Sequence, residues 1–148
     1  MLQIKVKSFD ELTKAELYKL LQLRNQVFVL EQHCIYLDID NKDQKALHVL
    51  GYKNDELIAY TRIFKAGDYL EEASIGRVLV VKHERKNAYG YQLMNASINA
   101  IKNYFKASVI KISAQCYLKK FYNDLGFKEQ GKTYLEDDIP HIAMLGVF

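Results

Sequence analysis

Residues 73–105 read ASIGRVLVVKHERKNAYGYQLMNASINAIKNYF, a stretch that contains an apolar run, a basic turn and an apolar stripe in that order. The apolar run at 73–81 is typical of a central β-strand. Further on, Leu93, Ile98, Ile101 and Phe105 recur close to the helical period, which predicts an amphipathic helix over 89–105. A basic turn joins the two, so a strand leads directly into a helix N-terminus.

Such a turn can bind an anion. The first N–H groups of a helix lack partners within the helix, and the helix dipole adds partial positive charge there. Arg85 and Lys86 would add formal charge, while the small Ala88 and Gly90 would let an oxygen-rich group approach the backbone. The turn lacks the Gly-Lys-Ser/Thr end of a Walker motif and the three glycines of a dinucleotide fingerprint. The alternative is a solvated basic turn.

The remaining elements surround this unit. We predict strands over residues 2–6, 46–52, 56–65, 73–81, 109–114, 127–134 and 141–147, and helices over 13–29, 89–105 and 117–125. Ser8 and Glu11 have the spacing of a capping box before the first helix. Residues 31–45 include Asp38, Asp40 and Asp43, which favour turns, so we expect a long functional loop over the surface. The order predicts a mixed α/β fold.

Composition narrows the class of protein. A chain of 148 residues, 49% hydrophobic and 26% charged, predicts a single domain spanning residues 1–148. The net charge of +3 is spread along the chain and does not indicate nucleic-acid binding. Cys34 and Cys116 lie far apart without a metal-site spacing, which favours a reducing cytoplasm and no metal site. No signal peptide or membrane span is indicated.

A family resemblance rests on several segments in consistent order. Residues 85–90, RKNAYG, resemble the Arg/Gln-x-x-Gly-x-Gly/Ala acetyl-CoA loop of the GNAT N-acetyltransferases, with alanine at the first glycine. The segments LRNQVFVLEQHC (23–34), IGRVLV (75–80), AQ (114–115), FY (121–122), GF (126–127) and EDDIPHIAM (136–144) are similar to the ElaA-like subfamily. The resemblance implies the GNAT fold, a mixed and mostly antiparallel central sheet flanked by helices.

The resemblance also implies how acetyl-CoA would bind. The strand carrying Val78, Leu79 and Val80 would pair its main chain with the pantetheine amides, in a gap between two splayed strands. The pyrophosphate would lie on the amides of the following turn. A helical φ at Ala88 would need no glycine there. The cofactor residues are thus expected to be Val78, Leu79, Val80, Arg85, Lys86, Asn87, Ala88, Tyr89, Gly90, Tyr91 and Gln115.

Catalytic candidates follow from the same resemblance. Tyr122, in a Tyr-x-x-x-Gly-Phe segment, matches the family tyrosine that protonates the departing CoA thiolate. An amine attacks only when neutral, so a base or water chain must take a proton. The candidate bases are Glu31, His48, Asp138 and His141. The alternatives are a solvent-facing ion pair involving Arg24, Glu31 and His48, and an acidic turn at 136–138. We do not expect Cys116 to be a nucleophile, since direct attack needs none.

The expected activity is transfer of acetyl from acetyl-CoA directly to a primary amine of a small molecule or peptide. The alternative is a non-catalytic domain that binds acyl-CoA as a sensor or interaction module. Nucleic-acid binding is a weaker third hypothesis, because no basic stripe interleaves with aromatic residues. The acceptor and the oligomeric state stay open, with a homodimer as one alternative because GNAT proteins often dimerise.

Overall fold

The alternating pattern at the N-terminus forms the first strand of a seven-stranded sheet in the computed structural model, which describes residues 1–148. The strand order is β1-β2-β3-β4-β5-β7-β6, and only β4 and β5 run parallel. The strands are β1 (Gln3–Ser8), β2 (Leu47–Lys53), β3 (Glu56–Phe64), β4 (Ala73–Val80), β5 (Val109–Gln115), β6 (Phe127–Glu136) and β7 (Ile139–Val147). The predicted fold class is confirmed.

Three helices flank the sheet: α1 (Lys14–Arg24), α2 (Tyr89–Ala100) and α3 (Lys119–Asp124). The first two continue in π-helical turns, Asn25–Glu31 and Ile101–Phe105, so the long predicted helices are observed over nearly their full lengths. Short 3₁₀ turns lie at Asp43–Lys45, Lys82–Asn87 and Cys116–Leu118. No helix has both the length and the apolar character needed to cross a membrane.

The first helix begins later than its predicted capping box. Ser8 and Glu11 do exchange hydrogen bonds, but they close a turn before the helix. Thr13 is the N-cap, and its side chain and that of Glu16 form the actual capping box. Two pairs with the same spacing therefore follow one another, and the second one sets the start of α1.

The core occupies both faces of the sheet because successive strand residues point to opposite sides. Val49 and Ile58 pack with Leu93 and Ile98 of α2 in the larger cluster. Leu50, Leu57 and Tyr60 pack with Leu20 and Leu23 of α1 in the smaller one. The two helices thus hold β2, β3 and β4 between them and leave the β4–β5 junction uncovered in part.

The last hairpin is tighter than predicted. Its two-residue turn is Asp137-Asp138, with φ of 50° and 63°, so both residues are left-handed as a type I′ turn requires. Strand β7 consequently begins at Ile139 and includes Pro140, which lies opposite Leu135 of β6. The proline therefore belongs to the strand rather than to the acidic turn.

Candidate active site

A cleft opens where β4 and β5 separate. These parallel strands pair at only two positions, Ala73 with Ile110 and Ser74 with Lys111, and then diverge. A cavity of about 640 Å³ fills the gap. That volume lies within the range of small-molecule and cofactor sites. Residues 75–80 of β4 form one wall, and Ile112, Ser113 and Gln115 of β5 contribute to the opposite wall.

Strand β4 carries an irregularity along this wall. Tyr60 and Arg62 of β3 pair with Leu79 and Gly76, so β4 has one residue more than its partner between these pairs. Arg77 lies in this bulge with a φ of 49°. A bulge re-aims side chains and main-chain groups, and bulges are frequent next to active sites. Val78, Leu79 and Val80, the expected pantetheine residues, follow directly and line the cavity.

The basic turn forms the wide end of the cleft. Residues 82–87 make a 3₁₀ turn, and Ala88 precedes α2 as its N-cap without any side-chain capping bond. Ala88 has φ and ψ of 58° and 21°, in the left-handed region, so it does not have the helical φ that would need no glycine. An alanine therefore occupies the conformation that the family motif reserves for glycine. The uncapped helix start leaves main-chain N–H groups available to an anion.

Most of the expected cofactor residues line this cavity, and three do not. The lining residues are Val78, Leu79, Val80, Arg85, Ala88, Gly90, Tyr91 and Gln115. Lys86 and Asn87 are exposed on the turn, and Tyr89 is buried against the core. Gly90 has a packing role as well, since a Cβ there would meet the Phe121 ring at 3.2 Å. Larger side chains at this position would push into that ring.

Arg85 contacts one of the candidate bases. Its Nε donates to the carbonyl oxygen of Val80 at 2.8 Å, and its Nη1 and Nη2 donate to the two carboxylate oxygens of Glu31. Such a bidentate pair is directional as well as charge-assisted. Glu31 lines the cavity at the end of the π-helical turn after α1. Since its carboxylate is engaged by a guanidinium, Glu31 is poorly placed to accept a proton from an amine.

Tyr122 lies on the cavity wall in α3. Its side chain is packed edge-on against Phe121 and Phe127, and the residue is 6% exposed. Its hydroxyl makes no hydrogen bond within the chain, although the residue borders the cavity. Burial raises the pKa of Tyr122 above that of a free phenol. The hydroxyl is therefore protonated at neutral pH and can donate.

His141 lines the cavity from β7, where it pairs with Gln115 at the end of β5. Its Nδ1 lies 2.7 Å from the carbonyl oxygen of Ile139, and this contact fixes the proton on Nδ1. Nε2 lies 3.3 Å from a carboxylate oxygen of Glu136, a contact that is an ion pair when the imidazole carries both protons. The Tyr134 ring stacks on the imidazole at 6.1 Å, and its hydroxyl bonds that of Ser113. The imidazole is thus held in one orientation beside a negative charge.

Two candidate bases lie outside the cavity. His48 is fully buried in β2, where its ring bonds the Tyr60 hydroxyl at 2.5 Å and the Asp43 carbonyl at 3.0 Å. Both ring nitrogens are occupied, and burial lowers the pKa of His48. Asp138 is exposed in the β6–β7 turn and does not line the cavity. Neither the His48 imidazole nor the Asp138 carboxylate is brought to the expected acceptor position.

A buried ion-pair network was not predicted from the sequence. Its members are Arg24, Asp38, Asp40, Asp43, Arg62 and Arg77, joined by N–O distances of 2.6 to 3.4 Å. The expectation of a solvent-facing pair at Arg24 is wrong, since Arg24 is completely buried. The aspartates of the long loop were expected to make surface turns; Asp38 and Asp43 are buried instead.

The network lowers the pKa of Asp40. Burial alone would raise the pKa of Asp40, but the hydrogen bonds and charge of Arg62 outweigh it and lower the pKa to about 2. Tyr36, Gln32 and Cys34 of the same loop line the cavity and were also not predicted. A signal existed for Gln32, Cys34 and Arg77, because they belong to the LRNQVFVLEQHC and IGRVLV segments that resemble the subfamily.

Comparisons with known proteins agree with this geometry. The family model described as an acetyltransferase (GNAT) domain matches residues 11–146. Protein ElaA of Escherichia coli K12 is 45% identical over 137 residues, covering 91% of this chain and 90% of ElaA. The crystal structure of E. coli ElaA has a TM-score of 0.91 at 41% identity, with 99% of each chain covered. An acyl-CoA N-acyltransferase structure from Pseudomonas aeruginosa has a TM-score of 0.92 at 36% identity, covering 99% of this chain and 100% of that chain.

Proposed function

Because the chain belongs to the GNAT acetyltransferase family and is ElaA-like within it, we propose that it transfers an acetyl group from acetyl-CoA directly to a primary amine. The observation that carries this proposal is the cavity between the diverging β4 and β5, which has Tyr122 on its wall and the uncapped N-terminus of α2 at one end. The proposed acceptor is an amine-bearing small molecule or peptide.

The cofactor would enter along β4. The pantetheine arm pairs with the main chain of residues 78–80, which line the cavity, and the pyrophosphate lies against the first N–H groups of α2. Arg85 is within the same wall and supplies a guanidinium to a phosphate oxygen once it leaves Glu31. The thioester then lies between the β4 bulge and Tyr122, which both line the cavity.

In the proposed reaction His141 is the general base and Tyr122 is the general acid. Nε2 of His141 takes a proton from the acceptor ammonium, and the neutral amine nitrogen attacks the thioester carbonyl carbon. A main-chain N–H of β4 stabilises the oxyanion of the tetrahedral intermediate. Collapse breaks the C–S bond, the nitrogen loses its second proton to water to give the amide, and the Tyr122 hydroxyl gives its proton to the thiolate. Tyr122 then regains a proton from solvent, and His141 releases the one it took. Glu136, beside His141, stabilises the imidazolium and attracts a cationic acceptor.

Isothermal titration with acetyl-CoA is the first test. We expect binding, and no heat at millimolar acetyl-CoA would refute the proposal. Acetyl-CoA binding without release of free CoA across a broad panel of amines would instead support the alternative, a non-catalytic acyl-CoA-binding module. A transferase releases CoA with at least one amine of the panel.

The variant Tyr122→Phe tests whether Tyr122 is the general acid. The change removes only the hydroxyl, which has no partner within the chain, so the fold and the acetyl-CoA affinity should stay close to wild type. We expect kcat to fall by about 10²-fold or more, the usual contribution of a general acid. Tyr117→Phe is the matched control, because Tyr117 also lines the cavity but is largely exposed. An unchanged kcat in Tyr122→Phe would remove Tyr122 as the acid.

A cytoplasmic location is part of the same proposal. Cys34 and Cys116 are both free thiols, which suits a reducing compartment. A homodimer is the proposed oligomeric alternative to a monomer, and light scattering on the purified chain decides between them.

A further inference from the structure

Asp38 is the point where the long loop, α1 and β4 meet. Its carboxylate accepts hydrogen bonds from Arg24 Nε at 2.9 Å, from the Tyr36 hydroxyl at 2.9 Å and from Arg77 Nε at 2.7 Å. Its main-chain carbonyl accepts two more, from Nη2 of Arg24 at 2.8 Å and Nη2 of Arg77 at 3.1 Å. With 4% of its surface exposed, Asp38 is nearly out of water. It is therefore a rigid junction.

Arg77 is the β4 residue that this junction holds. Its φ of 49° is unusual for a residue with a long side chain and costs on the order of 1–3 kcal/mol, so the surroundings must enforce it. Two of its nitrogens donate to Asp38, and its guanidinium lies 5.6 Å from the Tyr36 ring centroid. Side-chain contacts thus hold a strained backbone conformation in the cavity wall.

The position of this bulge matters for the proposed reaction. Gly76 and Val78, on either side of Arg77, line the cavity where β4 leaves β5. A donor that stabilises an oxyanion must lie about 2.7–3.1 Å from the oxygen in the transition state. Misplacement by about 1 Å can cost on the order of 10²-fold in rate. A loose bulge would therefore slow the chemical step without removing any group that binds the cofactor.

We propose that Asp38 is a positioning residue, which acts through Arg77 to hold the β4 bulge in the geometry that acyl transfer requires. The inference rests on the proposed function. It gives the long loop a specific role, because the buried aspartate of this loop fixes the cavity wall that β4 forms.

Asp43 provides a matched control. It is buried to the same degree as Asp38, at 5% exposure, and belongs to the same network. It accepts from Arg24 and Arg62 but makes no contact with Arg77. Asp43→Asn and Asp38→Asn each remove one negative charge from beside Arg24 without changing side-chain size. Both variants should lose stability, since each leaves buried arginine charge less compensated.

The two variants should differ in catalysis. For Asp38→Asn we expect kcat, per folded molecule, to fall about 10-fold or more while KM for acetyl-CoA changes by less than about 3-fold. For Asp43→Asn we expect kcat within about 2-fold of wild type. Equal losses of kcat in both variants, or a loss in Asp38→Asn confined to KM, would overturn the proposal.

Two further measurements keep the test decisive. Arg77→Lys breaks the same contact from its less buried end, because lysine keeps the charge but not the planar guanidinium, and it should show the same fall in kcat.

Amide NMR spectra separate this inference from the proposed function, since they need no turnover. Asp38→Asn should shift the amide signals of Arg77 and Val78, and Asp43→Asn should leave these two signals in place. Unshifted signals in Asp38→Asn would refute the positioning role even if wild type transferred no acetyl group.

Discussion

Ala88→Gly should stabilise the protein, although a change from alanine to glycine inside a helix normally destabilises it. Ala88 has φ of 58° and ψ of 21°, its side chain accepts no capping hydrogen bond, and it is exposed. Its methyl group consequently contributes little packing, while its Cβ makes the left-handed backbone unfavourable. Glycine adopts this conformation without that penalty.

The expected change in the free energy of unfolding is the difference between two opposing contributions. The left-handed conformation costs an L-residue roughly 1–2 kcal/mol, which the substitution recovers. Glycine makes the unfolded chain more flexible, and this costs about 0.4–1 kcal/mol. The difference is a gain of about 0.5–1 kcal/mol in the free energy of unfolding. For a chain of this size it corresponds to a rise of about 2–3 °C in Tm.

Thermal unfolding of Ala88→Gly and Ala96→Gly provides the comparison. Ala96 lies inside α2, eight residues further along, and packs against the core. There the same change should cost about 1 kcal/mol from helix propensity, plus the lost contact of the methyl group. The two substitutions should therefore shift Tm in opposite directions. A fall in Tm for Ala88→Gly comparable to that for Ala96→Gly would show that Ala88 is not strained.

Three further predictions concern charge. Glu31→Gln frees Arg85 from its ion pair, so acetyl-CoA should bind a few-fold more tightly in titration calorimetry. Weaker binding would refute the idea that Glu31 competes with a phosphate for Arg85. Because burial lowers the pKa of His48, the unfolded chain takes up the proton first, and stability should fall as pH drops below about 6.5, by at most about 1.4 kcal/mol per pH unit. Denaturant titrations should show a flatter profile in His48→Gln, and an unchanged profile would exclude His48 as the cause. The lowered pKa of Asp40 stabilises the fold above its unfolded value, near 3.9, and this stabilisation should disappear as pH falls to about 2; if Asp40→Asn unfolds in acid as wild type does, Asp40 is not responsible.

Local patterns in the sequence predicted the helices and strands well. When one face of a helix or strand is buried, its apolar residues recur with the period of that element. The alternation at Gln3–Ser8 and the apolar stripe of α2 each report such a face, and both elements are present. The strand, basic turn and helix, together with the family segments, were enough for the fold class. Element ends were less well predicted, since Ser8 and Thr13 offer equivalent capping signals and only tertiary packing selects between them.

Long-range pairing could not be predicted. Asp38 and Asp43 are short polar residues that favour turns, and only the folded chain shows that they meet arginines 14 to 39 positions away. His48 resembles a candidate base until its two hydrogen bonds are seen in the core. The positive φ of Ala88 likewise contradicts what its residue type favours. In each case the rest of the fold overrides a local preference.

The short β4–β5 pairing has a consequence for how the molecule unfolds. Strands β1 to β4 form one antiparallel meander, and β5 to β7 pair only with each other apart from those two contacts. Native-state hydrogen exchange should therefore resolve two cooperative units, each opening without the other at moderate denaturant. A ligand lying between β4 and β5 would join them, because it binds only while both are folded. Acetyl-CoA would then stabilise both units together. At saturating acetyl-CoA, hydrogen exchange should show a single opening event in place of two.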